Sequence, residues 1–204
     1  MRTEHIFLLA VLVTGVLLYQ RWGEAPIEHG PGVLVAEDPI QETVGASEFQ
    51  YDDYTMTRRA RFELRARVLS RRDYRFDAGA DLVPVDLALG WGPMSDQAIL
   101  DRISVSQSGR WFHLRWDHPG PLSDDVAMRH SGNMHIIPGN PTVEDQLTQV
   151  REGHVVWLSG HLVDARRADG YHWNTSLSRT DTGGGSCELF YVERALVERI
   201  GEGS

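Results

Sequence analysis

Two hydrophobic patterns stand out along this chain, and they differ in kind. Ile6 to Tyr19 (IFLLAVLVTGVLLY) is apolar throughout except at Thr14 and Gly15. Ala60, Phe62, Leu64, Ala66 and Val68 instead alternate with Arg59, Arg61, Glu63, Arg65 and Arg67. The first pattern suits a bilayer, where every position of a helix meets lipid. The second has the period of two expected of a strand with one buried and one wet face.

Later segments repeat the strand signal in shorter form. Residues 83–91 (VPVDLALGW) predict a second strand, and Ser95 predicts the cap of a short helix running to about Arg102, with Asp96 favoured by the helix dipole. Ile103–Gln107 and Trp111–Trp116 flank Ser108-Gly109-Arg110, the signal of a hairpin with a three-residue loop. His135–Ile137 predicts a short strand. Asn140 and Pro141 then open a helix that presents Val143, Leu147 and Val150 on one face and stops at Gly153. The last third predicts a strand over His154–Arg166 bent at Gly160, a turn at Asp169-Gly170 into Tyr171–Ser178, and a closing strand from Cys187 to Val192. The fold expected is α+β but mostly β: a small antiparallel barrel, OB-like or a roll, with one or two short helices.

The expected organisation has three parts. Residues 1–22 form a transmembrane anchor, with Tyr19 and Trp22 at the interface and Arg21 snorkelling. The run is short against the roughly 20 residues a span needs, so a cleaved signal peptide is the competing reading. Arg21, Trp22 and Pro26 make poor neighbours for a cleavage site, which favours an anchor. Residues 23–53, rich in Pro, Gly and acid, read as a flexible acidic linker, and 54–204 as one β-rich domain. A short N-terminus before a large acidic domain sets the N-terminus in the cytoplasm and the domain in the periplasm of a bacterial inner membrane. All 20 basic residues are Arg, as a GC-rich genome would produce.

The net charge of −9 argues against general nucleic-acid binding. The single Cys187 excludes an internal disulfide. Residues 54–193 resemble a group of bacterial membrane-anchored proteins that pair a Ser/Gly-x-Asn-Met-His segment with an Asp-Thr-Gly-x-Gly-x-Cys-Glu segment. Here these are Ser131–His135 and Asp181–Glu188. The resemblance implies an anchored soluble domain and carries no activity, so it assigns no residue a role.

Four constellations carry possible chemistry. Cys187 with His135 as base and Asp181 as orienting group would make a thiol nucleophile, with Gly183–Ser186 supplying oxyanion donors. That order also resembles the L,D-transpeptidases, but Glu188 and Leu189 stand where those enzymes carry a hydrophobic residue and Arg. A carboxylate beside the sulfur also works against the thiolate. Asp181-Thr182-Gly183 spells the aspartic-protease triplet, yet it occurs once, and that chemistry needs two. The histidines lack metal-ligand spacing, so no metal or cofactor is expected. Residues 58–75 hold eight Arg against Glu63 and Asp73. Arg59, Arg61, Arg65 and Arg67 form the candidate face for an anionic or envelope protein partner. The expectation is a binding or assembly module of the cell envelope. The alternative is a Cys-dependent hydrolase or transpeptidase acting on envelope material.

Overall fold

The computed structural model describes residues 25–178 and 188–198. Its elements run β1 (Ile40–Tyr51), β2 (Tyr54–Asp73), β3 (Val85–Gly90), a 3₁₀ turn (Gly92–Ser95), α1 (Gln97–Leu100), β4 (Ser104–Ser108), β5 (Trp111–Arg115), α2 (Asp124–Arg129), β6 (Ser131–Pro138), α3 (Pro141–Thr148), β7 (Val155–Arg167), β8 (His172–Trp173) and β9 (Glu188–Glu198). The domain is mostly β with a few short helices, as the sequence pattern predicts. Among the described residues no helix is long and apolar enough to cross a membrane. Residues 1–22, expected to form an anchor, lie outside the described residues.

β2 organises the sheet. Its alternation holds: Ala60, Phe62, Leu64, Ala66 and Val68 are all buried. One edge pairs first with β1 and then with β3, and the other edge pairs with β7 from Tyr54↔Arg167 to Arg67↔Val155. β3 pairs with β6, β6 with β9 in parallel, and β9 with β7. The pairings therefore return to β2. The fully buried side chains of Phe62 and Phe190 meet edge to face at 5.1 Å inside this ring.

Two apolar clusters divide the interior. The larger joins Phe62, Leu87, Met134 and Phe190 to Val143, Leu147 and Val150 of α3 and to Val35. The smaller joins Tyr54, Met56, Leu82, Val83, Ile137 and Ala165 at the other end of β7. A third, under the β4–β5 hairpin, packs Leu69, Ala88 and Met94 against Phe112 and Leu114.

The structure corrects several expectations. Residues 40–51, read as part of a flexible linker, form β1 across β2, and the preceding segment is tied down as well. Ile27 N–H donates to Glu152 O (2.9 Å), and His29 Nε2 lies 2.8 Å from Gly153 O. Val35 is fully buried, its N–H donating to Ser95 Oγ at 3.0 Å. Hydrogen bonds from its backbone and from the His29 ring hold a segment whose composition offers few apolar contacts. That engagement of Ser95 also explains why Asp96, whose carboxylate accepts from Ala98 N, is the cap of α1. The hairpin loop has two residues rather than three, because Ser108 pairs with Trp111. Only His172–Trp173 of the expected 171–178 strand is extended in the sheet. The bend at Gly160 is present: the β7–β9 register shifts there, and a Cβ would lie 2.0 Å from Tyr191 O.

Candidate functional site

β3 is buried along its whole length. Val85, Leu87 and Leu89 join the interior cluster, so alternation turns Asp86 to the opposite side of the sheet. Asp86 lies opposite His135 in the β3–β6 register. His135 Nδ1 sits 2.8 Å from Asp86 Oδ1, and neither residue is more than 1% exposed. The carboxylate accepts, so Nδ1 carries the hydrogen.

The hairpin closes over this pair. Gly109 (φ 56°) and Arg110 (φ 70°) form its two-residue turn, both with the positive φ of a type I′ turn. Arg110 is a strained choice there, and its side chain is held on every side. Nη1 donates to Asp86 Oδ1 (3.0 Å) and to Val83 O (3.0 Å), while Nε and Nη2 fork onto Asp77 at 2.9 and 2.7 Å. The guanidinium lies 3.7 Å from the centre of the Tyr74 ring and 5.5 Å from that of Trp173. Trp173 in turn stands 4.7 Å from the His135 ring. The backbone of Arg110 is fastened too: its N–H donates to Tyr74 Oη (3.2 Å), and its carbonyl accepts from Asn133 Nδ2 (3.1 Å). Burial works against the charged guanidinium, yet Asp77 and Asp86 outweigh it and hold its pKa above the ordinary value. The Arg110 hydrogen bond in turn holds the Asp77 carboxyl below the usual range.

A second cation–aromatic group adjoins the first. Arg167 lies over Tyr54 and Tyr171, 5.2 and 5.1 Å from the ring centres. Its Nη1 donates to Tyr54 Oη (2.8 Å) and Asp81 Oδ2 (3.1 Å). Burial, then the bond to Asp81, pushes the Tyr54 hydroxyl up to about 12. Beside the buried pairs stand two exposed aromatic side chains. Phe76 (98% exposed) precedes Asp77, and Trp111 (39%) follows Arg110.

Of the predicted site residues, His135 is at the centre of this cluster, with Asp86 in the orienting role the sequence suggested for Asp181. Asp181 and Cys187 lie outside the described residues. The four Arg of β2 do not form one open face. Arg59 pairs with Asp164. Arg65 forks onto Glu198 (2.7 Å twice) and donates to Leu34 O, and the Glu198 bond holds its pKa up. Arg67 overturns its expected place on the wet face: it is 4% exposed, because residues 29–35 and α1 cover this end of β2. It donates to Ser95 O (3.2 Å) and Gln97 Oε1. Arg61, 4.0 Å from Glu63, remains largely in solvent.

Among the described residues no group of three metal-ligating side chains converges. An open cleft of about 880 Å³ borders the hairpin base, lined by Asp101, Leu114, Trp116, His118 and Asp124 among others.

Sequence reasoning missed Asp86, Asp77, Tyr74, Arg110 and Trp173. One signal was present: Asp86 is a carboxylate inside an otherwise apolar strand, a position that requires a buried partner. The class this geometry defines is a mostly-β domain with a sheet-borne Asp–His–Arg cluster packed against Tyr74 and Trp173. No known family profile matches the chain, and no curated protein or solved structure is significantly similar to it.

Proposed function

We propose that the chain is a binding module of the bacterial cell envelope, anchored in the inner membrane by residues 6–22 with its domain in the periplasm. The ring β2–β3–β6–β9–β7 is read as a small OB-like barrel. Its strand order, a parallel pair (β6–β9) and a helix, α3, between its third and fourth strands support that reading. OB-folds bind oligonucleotides and oligosaccharides over strands two and three and the loops joining strands one to two and four to five. Here those positions are β3, β6, residues 74–84 and the segment carrying β8. The observation that carries the reading is that Asp86, His135, Tyr74, Asp77 and Trp173 come from these four pieces and meet around Arg110, with exposed Phe76 and Trp111 next in sequence to Asp77 and Arg110.

The acidic net charge disfavours a polyanion. An envelope glycan suits flat aromatic side chains flanked by planar hydrogen-bonding groups. An anionic partner on the β2 Arg row is less favoured, since Arg59, Arg65 and Arg67 already have partners within the chain.

Full-length protein in detergent should co-sediment with purified peptidoglycan sacculi. Phe76→Ala and Trp111→Ala should each weaken that binding about tenfold, or 1.4 kcal/mol, without loss of fold. Absence of wild-type co-sedimentation, or unchanged binding by both variants, would remove the glycan reading.

The Cys-dependent enzyme remains a second reading on one observation. A His held through Nδ1 by a buried carboxylate is the base–orienter half of a nucleophilic triad. Against it, His135 is 1% exposed and covered by Trp173. Rapid labelling of Cys187 at neutral pH, with complete loss of function in a folded Cys187→Ala variant, would favour the enzyme.

A further inference from the structure

We propose that the domain is seated directly on the bilayer surface, with the end that carries Gly153 against the headgroups and the Arg110 cluster at the end pointing away. The proposal rests on the anchor reading, which it deepens by fixing height and orientation.

The length of chain between membrane and fold supports it. The anchor ends at Trp22, and by Ile27 the chain is part of the domain: Ile27 N–H donates to Glu152 O. Five residues reach at most about 18 Å when fully extended. The domain cannot hang on a long tether, because the residues that would have supplied one are bonded along its surface. After Ile27, His29 is fixed to Gly153 O and its N–H donates to Gln97 Oε1 (3.1 Å). Leu34 and Val35 are bonded to Ser95. Gly153 is where this segment crosses closest. Its φ is +89°, and a Cβ would lie 2.1 Å from Ile27 O, so a side chain there would push the segment off.

The same attachment fixes which end faces the lipid. Gly153 N–H donates to Val68 O and Val68 N–H to His154 O, at the start of β7. Arg71 donates to the carbonyls of Leu147 and Val150 at the end of α3. Exposed Arg102 is close in sequence to this end, with Glu28, Asp101 and Glu152 among its exposed acids, whereas Arg72 pairs with Asp86 in the β2–β3 register and belongs with the Arg110 cluster. Trp173 pairs with Ala165 at the opposite end of β7, and Arg167 pairs with Tyr54. The cluster stands nearer than the far end of β7: Tyr74, which bonds Arg110, is six residue steps from Val68, a reach of at most about 20 Å. The Arg110 cluster is therefore placed to meet material standing off the membrane and not the headgroups themselves.

The test uses the wild-type full chain in lipid nanodiscs carrying a gadolinium-chelating headgroup lipid, read by methyl NMR. Methyls of Ile27 and Val150 should broaden several-fold more than those of Ala80 and Ala165. A Gly/Ser spacer of about 12 residues after Glu24, adding roughly 20 Å of reach, should reduce that difference in an otherwise unchanged spectrum. Equal, weak broadening of both sets in protein that co-elutes with the discs would overturn the seating while leaving the anchor intact. Stronger broadening at Ala80 and Ala165 would overturn the orientation. Failure of the chain to co-elute with the discs would defeat the anchor reading, and the seating with it.

Discussion

Arg67 is a buried guanidinium group and Arg110 a half-buried one, and the fold treats them in opposite ways. Arg110 meets Asp77 and Asp86 directly, lies on Tyr74, and stays fully charged, with its pKa held up. Arg67 has no carboxylate within ion-pair distance among the described residues. It bonds to the carbonyls of Ser95 and Gln97, and burial lowers its pKa despite the more distant charges of Asp101, Glu152 and Asp96. The difference shows where ionic specificity is concentrated. One site depends on a matched set of charges drawn from β3, the hairpin and the 74–84 loop. The other uses neutral dipoles to fasten residues 29–35 over β2, and charge is incidental to that task.

The strongest way to break this comparison is to remove the carboxylate at its centre. Asp86→Ala should destabilise the fold by about 3–5 kcal/mol in denaturant unfolding, because it leaves His135 buried, and Arg110 half-buried with Asp77 as its carboxylate partner, once their shared acceptor is gone. The Asp86→Ala/Arg110→Ala double variant should recover part of that loss, the signature of coupled residues. Additive losses would mean that the two do not act as a unit.

Alkali should probe the aromatic half of the distal end. The Tyr54 and Tyr51 hydroxyls are both raised from 10.0 to about 12, burial being the largest cause. A folded-state value above the unfolded one means that the unfolded chain loses these protons first. Their contribution is complete below pH 10 and lost as pH rises towards 12. Asp77 has the opposite sign: its lowered value contributes above the ordinary Asp range and is lost as pH falls through it. Unfolding midpoints measured against pH should therefore decline at both extremes. Tyr54→Phe should flatten the alkaline limb, and an unchanged limb would remove Tyr54 from this account.

Arg67→Met should have a smaller global effect, about 1 kcal/mol in either direction, since an apolar side chain of similar length fills the site and no carboxylate is left behind. The local effect should be larger. Gln97 Oε1, which Arg67 contacts, also accepts from His29 N–H, so hydrogen exchange at the amides of residues 27–35 should speed up more than the global change explains. A global loss as large as that of Asp86→Ala would put both arginines in one class and end the comparison.

How much of this was readable in the sequence follows from the range of the interactions. The β2 alternation, the Asn140–Pro141 helix start and the Gly160 bend are encoded within a few residues, and all three stand in the structure. β1 was not readable although its pairing with β2 across a two-residue turn is local, because none of its positions is buried and it has no apolar rhythm. The cluster is more distant still: Asp86 and His135 are 49 residues apart and meet only through the β3–β6 register. In the sequence His135 stood out only as the base that would serve a Cys187 nucleophile. Its actual partner was visible only as a carboxylate in an apolar run, a sign that something is bound there but not what.

The smallest expected effect concerns the β2 residue that remains in solvent. Arg61 has a side chain 63% exposed and stands 4.0 Å from Glu63, a separation at which a surface pair contributes little. Arg61→Gln should shift stability by no more than about 0.5 kcal/mol. Arg65→Gln strips a two-point bond from Glu198 and a donor from Leu34 O. It should cost more than Arg61→Gln and should free residues 33–35, as exchange at the Val35 amide would report. Strand alternation gives Arg61 and Arg65 the same outward direction, so only what lies above them differs: water over Arg61, the bonded N-terminal segment over Arg65. Equal effects from the two substitutions would mean that this segment does not press on β2, and the short attachment proposed between membrane and domain would lose its footing on the sheet.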